Sequence, residues 1–351
     1  MTYDLIIIGG GQSALACAYF LRRTSLNYLL LDDQVAAGGA WQRTWDSLTL
    51  FSPSEQSSLP GWLMPKSQHA FPTRHEVVRY LQQYEERYQV PVQRPVQVQE
   101  VTRGQNGDFI LRTSDGTYHA KALISATGTW QKPYIPDVPG RNSFKGLQLH
   151  ASMYKNAQPL RGKKVLIVGE GNSGAQILAE VSLVATTVWA TQSTPCFLPD
   201  NVDGRVLFDV ASAKYYAEKE GREFNAKHLN LGSIVMVPSV KAARERGVLH
   251  AVPTFKALEE TGVVWQDGRR EQFDVIIWCT GFRYALDHLE PLNVVTDNGK
   301  VDTEGTKAKN CPGLWLVGYG GWTGFASATL IGVGRSARET VGQVQAYLQE
   351  R

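Results

Sequence analysis

Two glycine-rich turns carry most of the chemistry legible in this chain: Gly9-x-Gly11-x-x-Ala14 and Gly169-x-Gly171-x-x-Gly174. In such a turn the first glycine permits a tight bend and the second lets a pyrophosphate approach the backbone. A small third residue lets the following helix pack on the preceding strand. Gln12 and Ser13 fill the first turn, and Asn172 and Ser173 fill the second. The phosphates then meet a helix N-terminus, where free N–H groups and the helix dipole favour negative charge. Asp32 ends the next apolar run, about 20 residues past the first turn, where a ribose hydroxyl needs an acceptor. A lone turn of this type could be an ordinary glycine-rich loop. The strand, helix and acid around it argue for dinucleotide binding. Two such units imply two dinucleotides, with hydride transfer between them as the natural use.

These turns need strands and helices to hold them. Asp4–Ile8 is a short apolar run that reads as a buried strand, followed by a helical pattern from Ser13 to Arg23 and a second apolar run, Tyr28–Leu31. Lys164–Val168, a helix to about Leu183 and a strand at Thr187–Ala190 repeat the order. Between the units, Thr73-x-x-Glu76 is a capping box opening a helix to Tyr88. Three short strand patterns lie between Pro95 and Ile124, with Asp115-Gly116 as a hairpin signal. Strands at Lys121–Ser125 and Phe273–Trp278 end in small-residue turns, Ala126-Thr127-Gly128 and Cys279-Thr280-Gly281. Gly38-Gly39 allow close backbone approach to a ligand. Ala40, Trp41, Trp45 and the run Leu48–Pro53 could wall an isoalloxazine ring or be buried aromatics under a surface loop.

The prolines from Pro133 to Pro139 read as an extended linker, with a domain crossing between about Pro133 and Leu160. The segment from about Leu198 to Val252 is polar, holds a helix around Val210–Lys219 and reads as an insertion without a legible role. Gly313–Gly318 returns to the first domain, and a final helix runs from about Ser327 to Leu348. The expected fold is α/β, with two Rossmann-like dinucleotide-binding domains in a glutathione-reductase-like arrangement. Residues 1–155 and 282–351 form one domain, and residues 156–281 are inserted as the other.

Composition narrows the classes. A net charge of +3 over 351 residues, without a basic block interleaved with aromatics, argues against nucleic acid. The four cysteines, Cys17, Cys196, Cys279 and Cys311, are far apart and form no C-x-x-C pair, which argues against a dithiol centre or a zinc site. The remaining histidines form no metal spacing. No charged leader and no apolar run of about 18 residues is present, so a cytoplasmic protein without a membrane anchor is expected.

The spacing Phe144-x-Gly146-x-x-x-His150-x-x-x-Tyr154, just before the second turn, resembles the fingerprint of flavin-containing monooxygenases. The 126–128 and 279–281 turns are similar to the two linker turns of that family. The closer likeness is to a short bacterial subgroup that accepts either nicotinamide cofactor and oxidises sulfides. It shares runs similar to Trp45–Pro53 and to Asn201–Phe208. The resemblance implies FAD on the first unit and NADPH or NADH on the second. It further implies a C4a-(hydro)peroxyflavin that passes oxygen to soft nucleophiles: sulfides, amines and, as a side activity, ketones. The substrates are O₂ and a small molecule, no metal takes part, and a homodimer is expected.

On this reading Gly9, Gly11, Gln12, Ser13, Ala14 and Asp32 hold FAD. Gly39, Ala40, Trp41, Leu50, Val98, Ala126, Thr127 and Gly128 border it. Gly169, Gly171, Asn172, Ser173, Gly174, Cys279, Thr280 and Gly281 belong to the nicotinamide site, and Gln192 and Ser193 meet its adenosine ribose. Larger family members place an asparagine at the flavin edge, whereas here Phe51 falls in that region. Phe51 and Asn172 are the residues expected to act in catalysis.

NADPH-selective members place a basic side chain after the second-domain strand, because a 2′-phosphate wants guanidinium or ammonium donors. Gln192 and Ser193 are neutral, and no carboxylate stands in Thr191–Thr194. Discrimination below about a hundredfold, or roughly 2.7 kcal/mol, is therefore expected. His150 reads as a structural residue at a domain crossing rather than a catalytic one. Trp322 and Phe325 could line the substrate side or be core aromatics. The rival readings are a flavin reductase or oxidase, a disulfide reductase, and a non-catalytic flavin redox sensor.

Overall fold

The computed structural model describes residues 2–222 and 233–351. Contacts divide the chain into two compact units. One comprises Met1–Gln42, Ser52–Lys132 and Arg283–Arg351, and the other comprises Arg43–Phe51 and Pro133–Phe282. The crossings fall at 132/133 and 282/283 rather than near 155, and the short segment Arg43–Phe51 packs with the second unit. Trp45 explains that placement, since its indole is buried in the second unit's apolar cluster with Leu48 and Phe51 packed against it. Residues 223–232 of the expected 198–252 insertion lie outside the described residues.

In the first unit, β1 (Thr2–Ile8) leads into α1 (Gln12–Leu21) and β2 (Tyr28–Leu31). The capping box forms at α2 (Arg74–Arg87): Thr73 accepts from the Glu76 backbone, and the Glu76 carboxylate accepts from the Thr73 N–H at 2.8 Å. Then come β3 (Val92–Gln93), β4 (Val98–Arg103), β5 (Phe109–Thr113) and β6 (Gly116–Ser125). The meander's third strand and the strand at Lys121–Ser125 are one element. The start of β6 pairs antiparallel with β5, and its apolar end pairs parallel with β1.

The second unit holds β7 (Leu147–His150), β8 (Lys164–Val168), α3 (Asn172–Val181) and β9 (Thr186–Thr191). It continues through α4 (Gly204–Lys219), α5 (Pro238–Glu245) and β10 (Ala251–Pro253). A small meander of β11 (Ala257–Glu259), β12 (Gly262–Val264) and β13 (Arg270–Gln272) precedes β14 (Val275–Trp278). The chain closes in the first unit with β15 (Thr303–Glu304), β16 (Lys307–Ala308), β17 (Leu314–Leu316) and α6 (Val333–Glu350). The final helix thus begins six residues later than Ser327, because Gly320–Gly332 is taken up by turns that include a short 3-10 segment at Gly321–Thr323.

Among the described residues the first sheet runs β15-β16-β17-β6-β1-β2-β3, with β4 and β5 as an antiparallel extension from β6. The second runs β10-β9-β8-β14-β7. Strands β1, β2 and β6 and strands β8, β9 and β14 are parallel triplets. Their apolar runs are continuous because both faces are covered. Leu5, Ile6 and Ile7 and Val165, Leu166 and Ile167 are all fully buried. In both sheets a turn to a helix leaves the carboxyl end of the central strand, the usual ligand position in an open α/β sheet.

Candidate functional site

The first cradle lies at the carboxyl end of β1. Gly9 has φ +111°, and a Cβ there would come within 2.6 Å of the Ala126 carbonyl oxygen. The Ala126-Thr127-Gly128 turn therefore lies directly against the glycine turn, held because Ala126 N–H donates to the Ile8 carbonyl at 2.8 Å. Gly11 is the N-cap of α1, without a side-chain cap and without an acid in the first turn. A Cβ on Gly39 would meet the Gly11 Cα at 2.9 Å, so the two backbones approach as closely as glycine allows. The helix end thus keeps uncapped amides beside a bare backbone surface, which fits a pyrophosphate. Gln12 is tied at both ends, donating to the Ala328 carbonyl at 2.7 Å and accepting from the Trp41 indole at 3.1 Å. Ser13 and Ala14 are buried beneath the turn.

Asp32 is buried, and Gly10 lies over it, where a Cβ would sit 2.4 Å from Oδ2. Its carboxylate accepts from Arg94 Nε at 3.0 Å, and Arg94 also forms a two-pronged pair with Glu85 at 2.5 and 2.9 Å. Burial raises the Asp32 pKa, and the Arg94 guanidinium opposes that rise. Arg94 and Glu85 escape sequence reading because nothing local links them to Asp32. Gly318 also escapes it. At φ +92° a Cβ there would meet Ser13 Oγ at 2.0 Å, so the strand end after β17 closes over α1.

Thr127 belongs to a buried polar network. Its hydroxyl lies 2.6 Å from the Ala285 carbonyl and 2.7 Å from the Tyr319 hydroxyl, which in turn meets Ser125 Oγ at 2.6 Å. His288 Nε2 completes the set, 3.2 Å from Ser125. Burial lowers the His288 pKa to about 4, so the imidazole is neutral in the folded protein. Val98 starts β4 and packs against the first unit's apolar cluster. Trp322 is half-buried and packs against the first unit's apolar cluster, its ring 5.5 Å from Tyr319 and edge-on to Tyr284 at 5.3 Å.

The second cradle repeats the first. Gly169 has φ +127°, and a Cβ there would meet the Cys279 carbonyl oxygen at 2.3 Å. The Cys279-Thr280-Gly281 turn therefore stands to Gly169 as Ala126-Thr127-Gly128 stands to Gly9. Gly174 presses on the Gly169 carbonyl, which also accepts from the Trp189 indole at 2.8 Å. Gly171 caps α3 without a side-chain cap, and its Cβ position is open, leaving Ser173 and the first-turn amides facing a bare surface.

The two residues expected to act in catalysis, Asn172 and Phe51, both belong to the second unit. The Asn172 amide is committed to backbone, accepting from Val235 N–H at 2.9 Å and donating to the Ser233 carbonyl at 3.3 Å. Phe51 packs 6.0 Å from Phe208, and its carbonyl accepts from Gly204 N–H at 2.7 Å. Leu50 beside it is buried.

His150 holds the 279–281 turn. Ser152 N–H donates to Nδ1 at 3.1 Å, which assigns the proton to Nε2, the donor to the Gly281 carbonyl at 2.9 Å. Gly146 in the same fingerprint has no room for a side chain, since a Cβ would meet the Phe144 ring at 2.4 Å. Gln192 and Ser193 are exposed at the end of β9, and the Glu170 carboxylate faces both.

The four cysteines are free. Burial pushes the Cys17 and Cys279 thiols up to about 12, so neither supplies a thiolate at neutral pH. Among the described residues no His, Cys, Asp or Glu group could hold a metal, and no helix is long and apolar enough to cross a membrane.

Known proteins resemble this chain over most of its length. A family model described as pyridine nucleotide-disulphide oxidoreductase matches residues 6–195. The oxidoreductase CzcO of Bacillus subtilis is 31% identical, covering 97% of this chain and 99% of its own. A probable indole-3-pyruvate monooxygenase of Arabidopsis thaliana is 28% identical over 98% of this chain and 90% of its own. The solved flavin-containing monooxygenase of Stenotrophomonas maltophilia is similar at 50% identity and a TM-score of 0.90, over 99% of both chains. A flavin and a nicotinamide cofactor follow, and so does oxidoreductase chemistry on a small molecule with O₂. This chain belongs to the pyridine nucleotide-disulphide oxidoreductase family and, within it, to the bacterial flavin-containing monooxygenases.

Proposed function

We propose that the protein oxygenates soft nucleophiles, sulfides above all, at the expense of NADH or NADPH, with FAD on the first unit and the nicotinamide cofactor on the second. The duplicated cradle carries this reading: two uncapped helix ends, each beside a glycine backbone and a small-residue turn. Bound flavin supplies hydride acceptance and activation of O₂. The chain's own residues bind and orient. The α1 and α3 amides meet pyrophosphates, Asp32 accepts from a ribose hydroxyl, and Gly39, Trp41, Thr127 and Gly128 border the first cofactor. Ser173 and the Cys279–Gly281 turn line the second. Gln192 and Ser193 offer neutral donors to either form of the adenosine ribose, which keeps discrimination under about a hundredfold. Excluding water is the remaining task of the apolar walls.

A disulfide reductase is disfavoured because the four cysteines lie far apart in the sequence and form no C-x-x-C pair. The same proposal includes ketones as minor substrates and a cytoplasmic homodimer. The test is oxygenation of an alkyl aryl sulfide under ¹⁸O₂ with either nicotinamide cofactor. The expected product is labelled sulfoxide, formed in proportion to the cofactor oxidised. Oxidation of NAD(P)H that yields only hydrogen peroxide, whatever sulfide or amine is added, would move the assignment to a flavin oxidase. Flavin that is reduced but never turns over would move it to a sensor.

A further inference from the structure

We infer that Glu170 selects against the 2′-phosphate and makes NADH the better nicotinamide cofactor. The inference rests on the second unit being the nicotinamide site. Glu170 occupies the variable position between Gly169 and Gly171, on the turn from β8 to α3. That turn brings its carboxylate across to the end of β9. Oε2 lies 3.3 Å from the Gln192 backbone N–H donor, and Oε1 lies 3.3 Å from the Ser193 hydroxyl. Gln192 and Ser193 are the residues that the adenosine ribose meets when the pyrophosphate sits on the α3 N-terminus, because the adenosine half of a dinucleotide lies over the end of the second strand.

A carboxylate there has two effects. It accepts a hydrogen bond from a free 2′-hydroxyl, as the acid at the end of the second strand does in NAD-binding domains. It also repels a 2′-phosphate and occupies the donors that such a phosphate would use. At roughly 5 Å in water the repulsion of two unit charges changes binding about fourfold, and a phosphate monoester carries up to two charges, so about tenfold is expected. That magnitude lies within the weak discrimination expected from Gln192 and Ser193 and gives it a direction.

The experiment measures equilibrium dissociation constants of the flavin-loaded protein for NAD⁺ and NADP⁺, and for 5′-AMP and 2′,5′-ADP, by titration calorimetry. The wild type is expected to bind NAD⁺ about tenfold more tightly than NADP⁺. Raising the salt concentration is expected to narrow that gap, since exposed charges are screened. E170Q is expected to tighten NADP⁺ and 2′,5′-ADP by about tenfold, while NAD⁺ and 5′-AMP, whose ribose hydroxyl then meets a neutral acceptor, bind no more tightly than to the wild type. Wild-type protein that binds NADP⁺ as tightly as NAD⁺ would overturn the inference without recourse to any variant. An unchanged ratio in folded E170Q would overturn it as well. Failure of either nucleotide to bind the wild type would instead refute the assignment of the second unit, and the inference with it.

Discussion

Replacing Arg94 by methionine tests whether Asp32 is held as a charged acceptor by a partner the sequence does not announce. The guanidinium is paired with both Asp32 and Glu85, and side-chain exposures are 13% for Arg94, 4% for Asp32 and 16% for Glu85. Breaking a buried pair leaves an uncompensated charge and costs about 3–5 kcal/mol. Arg94 and Glu85 retain some solvent contact, which places the expected loss near the lower end, about 3 kcal/mol at neutral pH. The sign with pH follows from Asp32. Its pKa is already raised in the folded state by burial, with Arg94 pulling it back. Removing Arg94 raises it further.

Between the unfolded and folded values the native protein then holds more protons, so its stability falls as pH rises through that window. The loss in Arg94→Met is therefore larger at pH 7.5 than at pH 5. Urea midpoints of wild type and variant at the two pH values, with flavin content measured alongside, check this. A loss below about 1 kcal/mol, the range of an exposed pair, or an equal loss at both pH values would refute the reasoning.

Other perturbations address different parts of the molecule. Gly9→Ala forces a Cβ to 2.6 Å from the Ala126 carbonyl oxygen at φ +111°, and a cost of about 2–5 kcal/mol with loss of flavin from the purified protein is expected. Gly169→Ala meets the Cys279 carbonyl oxygen at 2.3 Å, and spectra should show retained flavin that NADH no longer reduces. His288 has its folded pKa lowered to about 4, below the unfolded value near 6.5, so its stability contribution is present above pH 6.5 and lost as pH falls toward 4. Wild type should lose about 2 kcal/mol from this group between pH 7 and pH 5, and a His288→Gln denaturation series that keeps the same pH dependence would contradict the assignment. His150→Ala removes the bond to the Gly281 carbonyl and is expected to cost about 1–3 kcal/mol, read as a thermal shift without loss of flavin.

Periodicity and glycine spacing are local signals, and they were enough for both strand–turn–helix units, for the capping box at Thr73 and for the two small-residue turns. The reason is physical: a continuous apolar run needs burial on both faces, and a glycine turn needs φ values that other residues resist. The lengths of α4 and α6 and the short strands β7 and β10–β13 were less legible. Three or four residues carry little periodicity, and such strands exist only because a neighbouring strand completes their hydrogen bonds.

Which side chains share a site is set by contacts between segments distant in the chain. Arg94 reaches Asp32 across 62 positions, and Gly318 closes on Ser13 from the far end of the chain. Asn172, which the sequence offered for catalysis, finds its partners 61 and 63 residues on, in the backbone of Ser233 and Val235. Trp45 draws Arg43–Phe51 into the second unit. The sequence also presented Thr191–Thr194 as free of carboxylates, which is true along the chain and untrue in space. The turn after β8 carries Glu170 to that place, because parallel neighbours align the ends of β8 and β9 however far apart they lie in sequence.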